Sequence, residues 1–227
     1  MANVGHGKRF QDNKSKILHV AAQHFLTKGY VKTTMSGIAK DANISNGSLF
    51  FAFRDKEALV SDLVKFVLDY QFSTTKELVK GVTEDRTLFF ALERAMQLCF
   101  AESNEHLREM YLTSYTLPTC VEIIHSFLTS RLEKAFKEYL PDLQTKDFYE
   151  KELAISGIMR SYLTTPCNMY FTLENKTESY LRNTLLVLEV DKEQINKAID
   201  FVKQFDLLSI SKKALKNMMD YLESHIK

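Results

Sequence analysis

Tryptophan is absent from the 227 residues, and proline occurs three times, cysteine three times and glycine seven times. With so few turn-formers, β-sandwiches, barrels and β-solenoids are poor candidates, and 45% hydrophobic residues argue against a disordered chain. No run approaches the roughly 18 apolar residues of a membrane span, and the start, MANVGHGKRFQDNK, lacks the apolar stretch of a secretory signal. A cytoplasmic location is the expectation. Cys99, Cys120 and Cys167 are odd in number and widely spaced, without a C-x-x-C pair, so they read as reduced core residues. What remains is a chain of helical composition, long enough for one large domain or for a small domain joined to a larger one.

Net charge is only +1, but its distribution is uneven. Residues 1–57 carry nine basic side chains against four acidic ones, which leaves the remainder acidic. A basic N-terminal quarter on an acidic body suits a nucleic-acid-binding head on a separate sensing or pairing body. Ile17, Leu18, Ala21, Ala22, Phe25 and Leu26 form one helical stripe, so a first helix is expected from about Asn13 to Lys28, ended by Gly29. Thr33 or Thr34 caps a second, short helix behind Ile38, Ala39 and Ala42; Asn43 suits the left-handed turn after it. Ser45 caps a third short helix containing Leu49 and Phe53, and Asp55 caps a longer fourth one reaching about Val79. After Gly81 about six more helices are expected, with breaks at 103–104, 117–118, 141–145, 174–176, 190–191 and 208–211. Pro166 falls inside the pattern from Asp147 to Leu173 and is expected to kink it. The fold class is therefore all-α, with a small basic helical domain over 1–57, the candidate for binding DNA, and a larger helical domain over 58–227.

Residues 34–53, TMSGIAKDANISNGSLFFAF, hold two short capped helices around a tight turn, the spacing of a helix-turn-helix. Such a second helix has to stand clear of the body to enter a major groove about 12 Å wide. Residues 13–64 resemble the N-terminal DNA-binding domain of the TetR family of transcriptional regulators. The likeness rests on the ILHVAAQHF stripe, Lys28-Gly29-Tyr30, Thr33-Thr34, Ile38-Ala39, Gly47, Leu49, Phe53 and the DKEAL start of the fourth helix, all in register. It implies a homodimer, a helix-turn-helix on each subunit, and a variable helical C-terminal domain that dimerises and binds a small effector. There are departures from the family pattern: Asn43 replaces the usual turn glycine, Asn46 a lysine, Phe50 a tyrosine that donates to a phosphate, and Ala52 a histidine.

On this reading the DNA-binding residues are Thr33, Thr34, Ser45, Asn46, Gly47, Ser48, Phe50, Phe51 and Lys56. Lys56 is expected to donate to a phosphate beside the free amides of its helix start. Phe50 and Phe51 on the outward face either meet thymine methyl groups or pack on neighbouring parts of the head. Lys8 and Arg9 are expected to be solvated rather than placed in a minor groove.

In the body, Phe66, Tyr70, Met96, Phe100, Tyr111, Tyr115, Phe127 and Tyr162 are the candidates for lining an effector cavity beside the kink at Pro166. The segments 147–173 and 176–205 are the candidate dimer faces. Glu122 and His125 have the E-x-x-H spacing of a di-iron bundle, but no other histidine has a glutamate three residues before it, so no metal site and no cofactor are expected. Nothing in the sequence assembles an acid, base and nucleophile, and no enzyme is expected. The expected function is a sequence-specific regulator on a palindromic double-stranded DNA operator, a repressor released by a small apolar effector. The alternative is a helical interaction module whose head binds a protein partner.

Overall fold

Gly29 divides the first helix from the rest of the head. Its backbone (φ 76°, ψ 173°) is closed to other residues, so α1 (Asn3–Lys32) breaks there and closes with a short second piece. In the computed structural model the backbone is described for residues 3–224 and the side chains for 14–224. The expected arm residues Lys8 and Arg9 thus have side chains outside the described residues, while the backbone of α1 starts ten residues before the expected Asn13.

Three side-chain caps set the next three helices. Thr34 Oγ1 accepts from the Gly37 amide at the start of α2 (Met35–Asp41), and Ser45 Oγ from the Ser48 amide at the start of α3 (Asn46–Ala52). Asp55 accepts from the Ala58 amide at the start of α4 (Lys56–Val79). Each such cap contributes about 1 kcal/mol. Asn43 takes the left-handed conformation of the turn at φ 52°. The apolar stripe of α1 then meets Ile38, Ala39, Leu49, Phe53, Leu59 and Val60 in one buried cluster, so the start of α4 belongs to the packing of the head.

Seven helices follow among the described residues: α5 (Arg86–Glu102), α6 (Glu105–Ser114), α7 (Pro118–Phe136), α8 (Thr145–Thr164), α9 (Leu173–Val187), α10 (Lys192–Val202) and α11 (Leu207–Ser224). This is one more than the expected six. Helix α5 is the axis of the body, buried from Phe90 to Ala101 and packed by α4, α7, α8, α9, α10 and α11. Head and body are not joined by α4 alone, because α1 also packs on α6 and α11.

Pro166 departs from expectation. It does not kink a helix: α8 has already ended at Thr164, and Pro166 lies in the connection 165–172. The apolar periodicity continued across a real break because Phe171 and Leu173 still face the body core. The same connection replaces the break expected at 174–176, and the last break falls before Leu207 rather than at 208–211. The expectation of core cysteines is met by the buried Cys99 and Cys120 and overturned for Cys167, which is exposed in the connection 165–172. No helix among the described residues is long and apolar enough to cross a membrane.

Candidate nucleic-acid interface and ligand cavity

Helix α3 is held to the head by one fully buried side chain, Leu49, which leaves the rest of its short surface outward. Asn46, Gly47 and Ser48 are exposed at its start, Phe50 is half-exposed, and Phe51 is 81% exposed. Ser45 Oγ accepts in the cap and lies 2.9 Å from the Ser48 hydroxyl. Thr34 is exposed and caps α2. These residues make one continuous face. A helix of seven residues with its first turn free and its far side buried has the geometry that reads a groove through its N-terminal residues.

Two expected members sit differently. Thr33 is buried, its hydroxyl donating to the Gly29 carbonyl at 2.7 Å. Lys56 does not point out toward a phosphate: Nζ donates to the carbonyls of Tyr30 at 2.9 Å and Thr33 at 3.0 Å, and it lies 3.9 Å from the centre of the Tyr30 ring. The C-terminal end of α1 presents carbonyls that attract a cation, and this one is near enough to bond two of them, that of Tyr30 alongside the Thr33 amide. Burial pulls its ammonium below the ordinary lysine value, with Glu109 working in the opposite direction. Lys56 is therefore a clamp on the Gly29 break.

The other side of that break is held by the body. Glu109 on α6 accepts from the Tyr30 amide at 3.1 Å, and a Cβ placed on Gly29 would stand 2.4 Å from the same carboxylate. Glycine is required here by its backbone angles, while a side chain at this position would also have to displace the Glu109 carboxylate.

A partly open apolar pocket of about 90 Å³ lies on the inner side of the same helices. Its walls include Ala22, Phe25 and Leu26 of α1, Val60 to Leu68 of α4, Leu107 to Ser114 of α6, and Ile124 and Leu128 of α7. Among the described residues no charged side chain lines it; the polar groups are Gln97, Tyr111, Ser114 and Tyr115. Ser114 donates to the Tyr111 carbonyl, and the Tyr111 hydroxyl accepts from Gln71 at 2.6 Å. Gln97 connects the cavity to a buried ion pair, accepting from Arg94, which also binds Glu152 at 3.2 Å. Burial pushes the Tyr115 hydroxyl up to about 12.

Of the eight expected lining residues the structure brings only Tyr111 and Tyr115 to this cavity. Met96 and Phe100 are fully buried in closed packing. Phe66 and Tyr70 lie tilted against each other on another face of α4, with Phe66 stacked on Tyr221. Phe127 lies under the Arg131 guanidinium, and the Tyr162 hydroxyl accepts from Asn183 far from the cavity. The cavity is not beside Pro166, because no kink exists there to open one. Sequence periodicity missed the lining from α1 and α4, since core and cavity wall use the same apolar residue types. Glu122 is exposed and His125 is buried against Tyr149, and no group of three or more His, Cys, Asp or Glu that could hold a metal ion occurs among the described residues.

An all-helical body carrying a capped helix-turn-helix with an outward second helix is the architecture of a DNA-binding regulator. Residues 17–63 match the model of the bacterial regulatory proteins of the tetR family, so the N-terminal head is similar to the DNA-binding domain of that family. It is 33% identical over 79 residues to the HTH-type transcriptional repressor KstR2 of Rhodococcus jostii (strain RHA1), a match covering 35% of this chain and 39% of KstR2. The match thus spans less than half the length of that relative. It is 26% identical over 146 residues to the HTH-type transcriptional regulator YvkB of Bacillus subtilis (strain 168), covering 64% of this chain and 70% of YvkB. The fold as a whole is similar to the crystal structure of RolR in complex with resorcinol, with a TM-score of 0.66 and 11% identity over 86% of this chain and 95% of RolR.

Proposed function

We propose that this chain is a cytoplasmic transcriptional repressor that binds a palindromic double-stranded DNA operator as a homodimer and leaves it when a small apolar effector enters the cavity. In this reading residues 1–57 form the DNA-binding domain and residues 58–227 the effector-binding and dimerisation domain. Asn46, Gly47, Ser48, Phe50 and Phe51 meet base edges, while Ser45, Thr34 and the amide ends of α2 and α4 meet phosphates.

One observation carries the reading: the cavity is walled by α1, α4 and α6, the helices that hold the helix-turn-helix in place. At about 90 Å³ it is smaller than the roughly 150 Å³ apolar cavity that accepts benzene, so an aromatic ligand has to push these walls apart. Movement of α1 and α4 changes the distance between the two heads of a dimer. Two recognition helices read a palindrome only when they sit about 34 to 36 Å apart. An effector that prefers the widened body lowers DNA affinity by the ratio of its affinities for the two states.

The test is footprinting on the DNA upstream of the protein's own gene, followed by titration of that site with and without a ligand found by thermal shift. Protection of two half-sites one helical turn apart and weaker binding with ligand are expected. A head that binds no DNA sequence above background but retains a protein partner would overturn the reading in favour of an interaction module.

A further inference from the structure

A second, open groove of about 620 Å³ lies between the end of α4, the first half of α5 and the end of α7, and shares no lining residue with the apolar cavity. Glu93 lines it. This carboxyl belongs to a residue 3% exposed, and its Oε1 has no hydrogen-bond partner. Arg131 lines the same groove, its guanidinium 3.2 Å from the centre of the Phe72 ring and 4.6 Å from that of Phe127. Its one ion pair among the described residues is a 3.7 Å contact to the exposed Asp69. Glu93 and Arg131 do not reach each other as an ion pair, although each is drawn electrostatically toward the other. A desolvated carboxyl group with one oxygen unbonded is costly to keep, and the sequence keeps it between the charges of Arg94 and Arg131, the latter itself incompletely paired.

The rim narrows what fits. Lys80 is paired with Glu77 and Arg86 with Glu138, while Lys76 and Lys134 have no ion pair among the described residues. Phe72 and Phe89, edge to face at 5.4 Å, give an apolar wall. Glu77 and Glu84 also line the groove, so it carries both signs of charge: a ligand bearing only an amine would leave Arg131 and two lysines unanswered, and one bearing only a carboxylate would leave Glu93 unanswered. Both charges are satisfied by a molecule that carries an ammonium and a carboxylate on one carbon. We propose that this groove binds a free α-amino acid with an apolar side chain: its ammonium donates to Glu93, its carboxylate is held by Arg131 with Lys76 and Lys134, and its side chain lies on Phe72 and Phe89. The site is independent of the apolar cavity and of DNA binding, and would give the body a second small-molecule input.

Calorimetric titration of the full chain with L-leucine and L-phenylalanine, and with two truncated analogues of leucine, tests this directly. The analogues are 3-methylbutan-1-amine, which lacks the carboxylate, and 4-methylpentanoate, which lacks the ammonium. Saturable binding of at least one amino acid at one per chain is expected, with each analogue of leucine weaker than leucine by about tenfold or more, the worth of a hydrogen bond to a charged group. Glu93→Gln should weaken the amino acid by a similar factor and reduce the disadvantage of 4-methylpentanoate; Arg131→Gln should do the same for the amine. The analogue series needs no variant, so a misfolded substitution does not compromise it. Absence of saturable binding by both amino acids at millimolar concentration, or equal affinity for leucine and either analogue, overturns the proposal.

Discussion

Lys56 separates what a residue type offers from what its position makes of it. At the start of a helix beside a DNA-reading unit, a lysine is well placed for a phosphate, but its Nζ turns back to two carbonyls at the Gly29 break. Lys56→Ala should therefore lower the melting temperature, because it strands partly buried carbonyls, and lower DNA affinity through a shifted head. The slope of log affinity against log salt should stay unchanged; a lysine on a phosphate would flatten it by about one. Thermal melts and salt titrations of both proteins decide between clamp and phosphate contact. Glu93 has a different signature, in pH. Burial raises its carboxyl above the ordinary range, with Arg94 and Arg131 pulling it back. The folded chain then holds this proton more tightly than the unfolded one, so its contribution to stability is present below the unfolded value of about 4.3 and is lost as pH rises through the folded value. Glu93→Gln should accordingly melt higher than the parent at neutral pH, with the difference shrinking toward zero as pH falls below about 4.3. An equal or lower melting temperature at neutral pH would show that the carboxylate is paired after all.

Between elements, the contact of α6 with the break in α1 carries the most specific expectation. Glu109 holds the Tyr30 amide from the same helix whose neighbouring residues, Leu107, Met110 and Tyr111, wall the cavity. Gly29→Ala meets both a backbone conformation almost confined to glycine and the Glu109 carboxylate, and should cost about 1 to 3 kcal/mol. Glu109→Ala removes the acceptor but leaves the backbone free, so it should cost less in global stability while the Tyr30 amide exchanges faster with solvent deuterium. Equal exchange in both proteins would show that the latch does not hold this turn. The sequence made this region legible in part. Thr34, Ser45 and Asp55 announce their helices because a cap needs a short oxygen-bearing side chain at one position, and Gly29 announces the break. It did not announce Glu109, since a half-exposed glutamate on an amphipathic helix looks like any other. The cavity was hidden for a related reason: Met96 and Tyr111 are equally good core residues by type, and only packing across helices decides that Met96 is enclosed and Tyr111 faces space. Pro166 misled because an apolar period says which face is buried and not whether the backbone between two buried residues is helical.

At the scale of the whole molecule, the proposed function requires two copies to pair so that their helix-turn-helix units read a palindrome. Helices α8 and α9 pack on each other, and the outward side of the pair carries Tyr149, Leu153 and Leu186, exposed by 43%, 42% and 57%. Along the same face of α8, Ala154, Gly157 and Ser161 are small and exposed, which lets another helix approach closely. On the proposed reading, two such pairs about a twofold axis would make a four-helix interface in which each residue meets its own surroundings again. Replacing Leu153 and Leu186 together by glutamate places like charges face to face across that axis without touching the body core. The double variant should therefore keep its helical content and melt as one cooperative unit, but run as a monomer in light scattering at micromolar concentration. Its affinity for a full palindrome should then fall toward that for a half-site, since the second head is no longer held at the high effective concentration that linkage provides, worth about 10² to 10⁴ in binding. The parent and the variant should bind an isolated half-site equally. A variant that remains dimeric would place the interface on another face, and a monomeric variant with undiminished palindrome affinity would show that dimerisation does not set the spacing of the heads.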